Sequence, residues 1–245
     1  MFFEFPTKED WRELENSYPF EKLEVDEGTF RYASDPNDDI GRFFGSQEIF
    51  TWIVHLQNRL IQVRWSYVLL HFYFNKGIPD DEWFISPGKA GQSIQYYPHF
   101  TEKDHLVKAQ FDYYVDAFYH KMFSAWDTLG HLINGMYGLE IERASFDKAR
   151  KKLKTVKPAL YADLKIIADS SDFKKMRELR DNVTHNHLPG DIGSSVRRVS
   201  KTHITFGGGD YTPSAIIKEN VSKSLDLFAE ALNAIKKQNI LDNPS

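Results

Sequence analysis

The stretch Thr101–Gly138, TEKDHLVKAQFDYYVDAFYHKMFSAWDTLGHLINGMYG, decides the fold class. Thr101 with Asp104 three residues later is typical of a helix N-terminus. The apolar residues that follow recur every three or four positions, which is the spacing of one face of an α-helix; they are Phe111, Val115, Phe118, Met122, Leu129, Ile133 and Met136. The stretch therefore predicts one long amphipathic helix.

A second long helix is predicted upstream, from Ser46 to about Asn75, where Gly77 and Pro79 stop it. Its apolar residues lie on most sides of the helix; they are Ile49, Phe50, Ile53, Val54, Leu60, Ile61, Trp65, Val68, Leu69 and Phe72. A helix that is apolar nearly all round is typical of a protein interior. We therefore expect this helix to be the buried central element.

The rest of the chain predicts shorter helices and one small hairpin. Thr7, Ser145 and Ser171 are each expected to cap a helix, the first of which covers 7–16, and a last helix is expected from Pro213 to Gln238. A further segment runs through 164–167, and 196–206 alternates like a short hairpin. The fold class is thus mainly α, a bundle of long antiparallel helices with a small β-hairpin accessory. We predict an N-terminal helical extension over residues 1–100, packed on the same core as a bundle over residues 101–245.

Composition narrows the class of protein. The 245 residues carry a formal net charge of −4, are 41% hydrophobic and include no cysteine, which excludes disulfides, thiolate metal sites and cysteine nucleophiles. The first residues lack the pattern of a signal peptide, and Trp65–Gly77 is too short to span a bilayer. We expect a cytoplasmic protein that does not associate with membranes.

One segment, Arg177–His187, reads RELRDNVTHNH and carries the candidate chemistry. Within it Arg180 is followed by the polar residue Asp181 and, five positions on, by His185. This resembles the R-x(4–6)-H signature of the HEPN superfamily, in which an apolar residue precedes the arginine and Asn, Asp or His follows it. Arg198 with His203, and Arg64 with His71, share the spacing. The former pair lies in the predicted hairpin, and the latter lacks the polar residue after arginine.

The resemblance implies both a fold and an activity. HEPN domains are helical bundles, and many are metal-independent endoribonucleases of toxin–antitoxin, abortive-infection and RNA-processing systems. It implies cleavage of an RNA substrate by attack of the 2′-hydroxyl, no cofactor or metal, a homodimer with the site where two protomers meet, and a possible antitoxin partner. Histidine suits proton transfer near neutral pH, and arginine suits a developing phosphorane.

Two questions stay open at this point. Residues i and i+5 are about 140° apart on an ideal helix, whereas His187 at i+7 lies almost above Arg180 and also satisfies R-x(6)-H. The alternative function is a catalytically inactive HEPN-like interaction module. Arg180 would then be an ordinary helix arginine paired with an acid, and the histidines would complement the helix dipole.

A polar face on the 101–138 helix offers supporting residues. It holds three acids, two histidines and an amide within about 100° of arc; they are Asp112, Asp116, His120, Asp127, His131 and Asn134. This face could be plain polar surface, a divalent metal site of a hydrolase, or a support for the Arg180 helix. For the last we select Asp127 and His131.

Basic residues mark where RNA would bind, if it binds. Lys151 and Lys152 lie in the basic run 148–157, and Arg197 with Arg198 lies in the predicted hairpin. Such runs are usually solvated faces, so this assignment is weak.

Overall fold

The computed structural model is built mainly from helices. It describes residues 4–26, 28, 30–31, 39–185, 190–193, 196–207 and 209–242. The helices are α1 Lys8–Asn16, α2 Asp39–Phe74, α3 Glu102–Met136, α4 Phe146–Val156, α5 Pro158–Asp169, α6 Ser171–His185 and α7 Ser214–Asp242, with a 3-10 turn at Phe20–Leu23. Two antiparallel hairpins pair β1 Phe84–Ile85 with β2 Gln95–Tyr96, and β3 Val196–Arg198 with β4 Ile204–Phe206. The predicted mainly α bundle with a small hairpin is confirmed.

Helices α2 and α3 form an antiparallel pair at the centre of the molecule. The start of α2 meets the end of α3, where Trp52 stacks on His131 with ring centroids 4.2 Å apart. At the other end the rings of Phe74 and Phe111 lie 6.0 Å apart. The apolar stripe predicted for α3 is fully buried, and Thr101 caps the helix by accepting a hydrogen bond from the backbone N–H of Asp104.

Trp126 of α3 joins the other helices to this pair. Its ring contacts Phe146 of α4 at 4.5 Å, Phe173 of α6 at 5.1 Å and Phe228 of α7 at 4.9 Å between centroids. Aromatic rings bury large apolar areas, and edge-to-face contacts of this kind stabilise their packing further. The core of the bundle is therefore continuous from α3 into α4, α6 and α7.

The prediction for α2 is wrong in two respects. The helix begins at Asp39 rather than Ser46 and continues through Gly41 and Gly45, which lower helix propensity without ending a helix. It is also not buried all round, since Phe50, Val54, Ile61 and Trp65 are exposed. Hydropathy alone cannot separate a side chain that faces the core from an apolar side chain on the surface.

Two smaller details also differ from expectation. Ser170 rather than Ser171 caps α6, since its hydroxyl accepts a hydrogen bond from the Phe173 N–H at 3.1 Å. The β1–β2 hairpin, with two residues in each strand, was not predicted.

No helix in the part of the chain that the structure describes is long and apolar enough to cross a membrane. The division at residue 100 stays a prediction.

Candidate functional site on α6

Arg180 lies at the border between core and surface. Helix α6 turns Phe173, Met176 and Leu179 into the core, and Arg180 follows directly after this buried stripe. Its side chain is 31% exposed. A side chain in this position can contact the bundle with its stem and a ligand with its charged end.

The guanidinium of Arg180 has two defined neighbours. Its central carbon lies 4.5 Å from the centroid of the Phe123 ring on α3, a cation–π contact. Its Nη1 lies 3.3 Å from Oδ1 of Asp181, and its Nε is buried with no hydrogen-bond partner among the described residues. The aromatic ring fixes the charge in position, which reduces the ordering needed to bind an anion.

The two candidate histidines differ in what the structure shows of them. Helix α6 stays helical through His185, so Arg180 and His185 are about 140° apart around one helix axis. The side chain of His185 and the whole of His187 lie outside the described residues. The choice between them stays open.

Two α3 side chains, Asp116 and His120, lie on the same face of α3 as Phe123 and nearer the start of that helix. Helices α3 and α6 run antiparallel, because Phe173 contacts Trp126 while Arg180, further along α6, contacts Phe123. The end of α6 therefore runs towards the start of α3, which is the direction in which Asp116 and His120 lie. The Nε2 atom of His120 lies 3.1 Å from Oδ1 of Asp116, a charge contact that lacks hydrogen-bond geometry.

The predicted supporting residues Asp127 and His131 have other neighbours. Oδ1 of Asp127 accepts a hydrogen bond of 3.4 Å from the Phe146 N–H at the start of α4. His131 stacks on Trp52, and burial lowers its pKa, an effect that Asp127 and Glu48 oppose. Their role toward Arg180 stays a prediction.

Within the described residues no three acids or histidines are grouped to hold a metal ion, so the metal-site alternative gains no support.

The predicted basic residues lie on two different elements. Lys151 and Lys152 are exposed on α4. Asp147 of α4 accepts a hydrogen bond from Arg177 of α6, and Lys151 lies one turn beyond that contact. Burial raises the pKa of Asp147, but the opposing effects of Arg177 and Arg150 are together larger, so this pKa lies below its usual value.

Arg198 is exposed on β3, where its Nη2 donates to the Lys201 carbonyl at 3.3 Å. The side chain of Arg197 lies outside the described residues.

Phe123 is the site residue that sequence reasoning missed. It falls on the same arc of α3 as Asp116, His120 and Asp127, so it is one aromatic ring within a polar face. An apolar side chain on such a face is the signal that could have identified it.

Comparison with known proteins assigns the family. The profile of the Cthe2314-like HEPN family matches residues 52–240, more than three quarters of the chain. No curated protein and no solved structure gives a significant match. The matched range includes the Arg180 motif and every helix from α3 to α6, and the mainly helical bundle agrees with it. The chain therefore belongs to the HEPN superfamily, as a member of its Cthe2314-like HEPN family.

Proposed function

We propose that this protein is a metal-independent endoribonuclease whose site is built around Arg180 and His185. The observation that carries the proposal is the contact of Arg180 with Phe123, which holds a partly exposed cation beside the last turn of α6. That turn carries His185, and the family profile includes the segment. HEPN domains are commonly ribonuclease-like, which is the basis for choosing RNA as substrate.

The chemistry needs proton transfer and charge stabilisation. Attack of the 2′-hydroxyl on the adjacent phosphate forms the P–O2′ bond while the P–O5′ bond breaks, leaving a 2′,3′-cyclic phosphate and a free 5′-hydroxyl. One group takes the 2′-hydroxyl proton and another gives a proton to the leaving oxygen. His185, or its rival His187, supplies one of these. Arg180 stabilises the charge on the phosphorane.

His120, with Asp116 next to it, offers a second imidazole on the face of α3 that carries Phe123. Since cleavage needs both an acid and a base, two histidines fit the reaction better than one. We assign His120 to the second proton transfer, with the carboxylate of Asp116 as its charged neighbour. His99, whose Nε2 lies 2.6 Å from Glu82, forms an exposed acid–histidine pair elsewhere and serves as a matched control.

The first test compares RNA cleavage by wild type, Arg180→Ala and Arg177→Ala in excess EDTA. Arg177 is the control because it lies one turn earlier on α6 and pairs with Asp147. We expect Arg180→Ala to reduce the cleavage rate by about 10²–10³-fold, the usual effect of removing one charge-stabilising group. Arg177→Ala should stay within severalfold of wild type once equal helicity is shown. Equal activity of wild type and Arg180→Ala would contradict the proposal.

The same assay separates the histidines. His185→Ala and His187→Ala are compared directly, and the catalytic one is expected to lose cleavage while binding of a 2′-deoxy oligonucleotide is retained. His120→Gln should lower the rate and alter one limb of its pH profile, whereas His99→Gln should leave both unchanged. An unaltered His120→Gln enzyme would remove His120 from the assignment without affecting Arg180.

A non-enzymatic HEPN module is the second candidate. The ion pair with Asp181 and the contact with Phe123 give Arg180 two partners within its own chain, as in a purely structural role. In that case wild type and Arg180→Ala are equally inert on RNA, and expression of wild type is not toxic to cells. Toxicity that Arg180→Ala abolishes would instead support a toxin, for which an antitoxin partner would be sought.

A further inference from the structure

A buried ion pair lies near the start of α3, among residues to which the proposed reaction assigns no part. Nζ of Lys108 donates to Oδ2 of Asp112 at 2.6 Å, and the two side chains are 7% and 13% exposed. The free-energy cost of removing two charges from water offsets most of their attraction, so such a pair contributes little net stability. Its presence is better explained by what it holds in place.

Gly190 lies directly against this pair. A Cβ placed on Gly190 would lie 2.4 Å from Oδ1 of Asp112 and 2.6 Å from Nζ of Lys108, so the backbone passes the two charged groups too closely for a side chain. The Tyr97 hydroxyl donates to the Gly190 carbonyl at 3.4 Å. Gly190 itself is buried. The chain is therefore held at this residue by α3 and by the loop that precedes α3.

The groups around the ion pair are themselves held in place. The ring centroid of Tyr211 lies 5.4 Å from Nζ of Lys108, and the Tyr211 hydroxyl donates to Oδ2 of Asp80 at 2.6 Å. Asp80 is 1% exposed, and the same oxygen accepts from the Ser214 N–H and hydroxyl at the start of α7, at 2.9 and 2.7 Å. Tyr97 has a φ of 50°, a left-handed conformation that persists where the surroundings hold it. Contacts from α7 and from the loop before α3 thus fix the surroundings of the pair.

Gly190 and Arg180 contact the same face of α3. Arg180 lies over Phe123, and Gly190 lies against Asp112. Phe123 and Asp112 are separated by about three helical turns, which places the two contacts on one face, roughly 16 Å apart along the axis. The stretch from Arg180 to Gly190 is therefore tied to α3 at both ends, and both candidate histidines belong to it.

We propose that Lys108 and Asp112 are positioning residues for the nuclease site, a role that rests on the proposed function. Their contact with Gly190, the Gly190 anchor, fixes one end of the stretch whose other end Arg180 fixes. His187 is three residues from Gly190, so chain connectivity keeps the two Cα atoms within about 11 Å at ~3.6 Å per residue. The Gly190 anchor restricts where the histidine of the motif can lie relative to Arg180, and neither Lys108 nor Asp112 takes part in the chemistry.

Gly190→Ala tests the Gly190 anchor with one methyl group. To reach ordinary contact distances, the added Cβ must displace the segment or the ion pair by ~1 Å, and a misplacement of that size can cost about 10²-fold in rate. We expect kcat for RNA cleavage in excess EDTA to fall by about 10–10²-fold, with KM close to that of wild type. Gly207→Ala is the control, since its added Cβ contacts none of the described residues.

A double variant, Lys108→Met with Asp112→Leu, removes the ion pair without leaving a buried charge. Apolar side chains of similar volume usually preserve the fold at such a site, whereas removing one partner leaves the other charge unpaired. The matched control is Lys165→Met with Asp169→Leu, because that pair has the same i,i+4 order on α5 but is 50% and 53% exposed. We expect kcat to fall in the first double variant alone, while circular dichroism shows equal helicity in all proteins.

Hydrogen–deuterium exchange gives a readout that does not depend on activity. Peptides that cover residues 186–193 should exchange faster in Gly190→Ala and in the Lys108→Met, Asp112→Leu variant than in wild type, because the segment has lost its attachment to α3. Peptides from the middle of α3 should exchange as in wild type. Both control proteins should match wild type throughout.

Unchanged exchange over 186–193 in both test variants would overturn the Gly190 anchor, whether or not the chain cleaves RNA. Faster exchange with an unaltered kcat would overturn the positioning role, because the pair would then serve the structure alone. A wild type that is inert on RNA would contradict the nuclease proposal and the positioning role together, while faster exchange would still establish the anchor.

Discussion

His71 shows how one buried residue ties stability to pH. It is 4% exposed within α2, its Nδ1 lies 2.9 Å from the Tyr67 carbonyl, and its ring lies 3.9 Å from that of Tyr67. Burial lowers its pKa to about 4, the Tyr67 contact opposes this, and the charge of Lys218 adds to the lowering. The unfolded chain, with an ordinary histidine pKa near ~6.5, therefore binds this proton more tightly than the folded chain.

We expect the chain to lose stability as the pH falls from about 6.5 towards 4. Above that window His71 is neutral in both states and contributes nothing to the pH dependence. At pH 5 the protonation of His71 in the unfolded state lowers the free energy of unfolding by about 2 kcal/mol. Urea unfolding at pH 7.5, 6 and 5 measures how the free energy of unfolding depends on pH. His71→Asn keeps a nitrogen near the Tyr67 carbonyl but cannot titrate. Its loss of unfolding free energy between pH 7.5 and 5 should therefore be smaller than that of wild type by about 2 kcal/mol. An equal loss in both proteins would contradict the assignment.

The contact between α3 and α4 depends on a single glycine. A Cβ placed on Gly130 would lie 2.3 Å from the Ser145 carbonyl carbon and 2.4 Å from the Phe146 nitrogen. Both atoms belong to the backbone at the start of α4, so a flexible side chain cannot absorb the clash. The two helices approach this closely because residue 130 has no side chain.

Gly130→Ala is therefore expected to destabilise the fold by about 1–3 kcal/mol or more, despite alanine's higher helix propensity. Chemical denaturation of the variant measures this. Gly207→Ala serves as the control, because none of the described residues lies within 4 Å of its added Cβ, and it should change stability by less than about 0.5 kcal/mol. A stabilised Gly130→Ala chain would show that α4 can move away without cost.

At the level of elements, the sequence predicted those features that depend on local residue spacing. The stripe of α3 and the caps of α1, α3 and α4 follow from local patterns and are confirmed. The surroundings of α2 were predicted wrongly because core and exposed apolar surface have the same hydropathy. The Arg180 motif could be found by its spacing. The contact of Arg180 with Phe123 could not be predicted, because this contact depends on how α6 packs against α3. The roles of Asp127 and His131 stay predictions.

The N-terminal segment is attached to the bundle by contacts distant in sequence. Tyr18 donates to Asp226 of α7 at 3.1 Å, Lys236 of α7 donates to the Glu24 carbonyl at 2.7 Å, and Tyr73 of α2 donates to the Glu4 carbonyl at 2.8 Å. Residues 1–51 precede the range that the family profile matches. These contacts nevertheless join the segment to the same core, so the whole chain should unfold as one unit.

Leu14→Ala tests this coupling, because Leu14 is buried in the contact of α1 with α2. We expect the variant to lose about 2–3 kcal/mol, which lowers the Tm of the entire chain by roughly 5–10 °C at this size. Far-UV circular dichroism and tryptophan fluorescence should follow one shared transition. The matched control, Ile166→Ala on the exposed face of α5, should leave the Tm nearly unchanged. If Leu14→Ala instead produced an early partial transition with the main one unmoved, the N-terminal segment would be an independent appendage rather than part of the core.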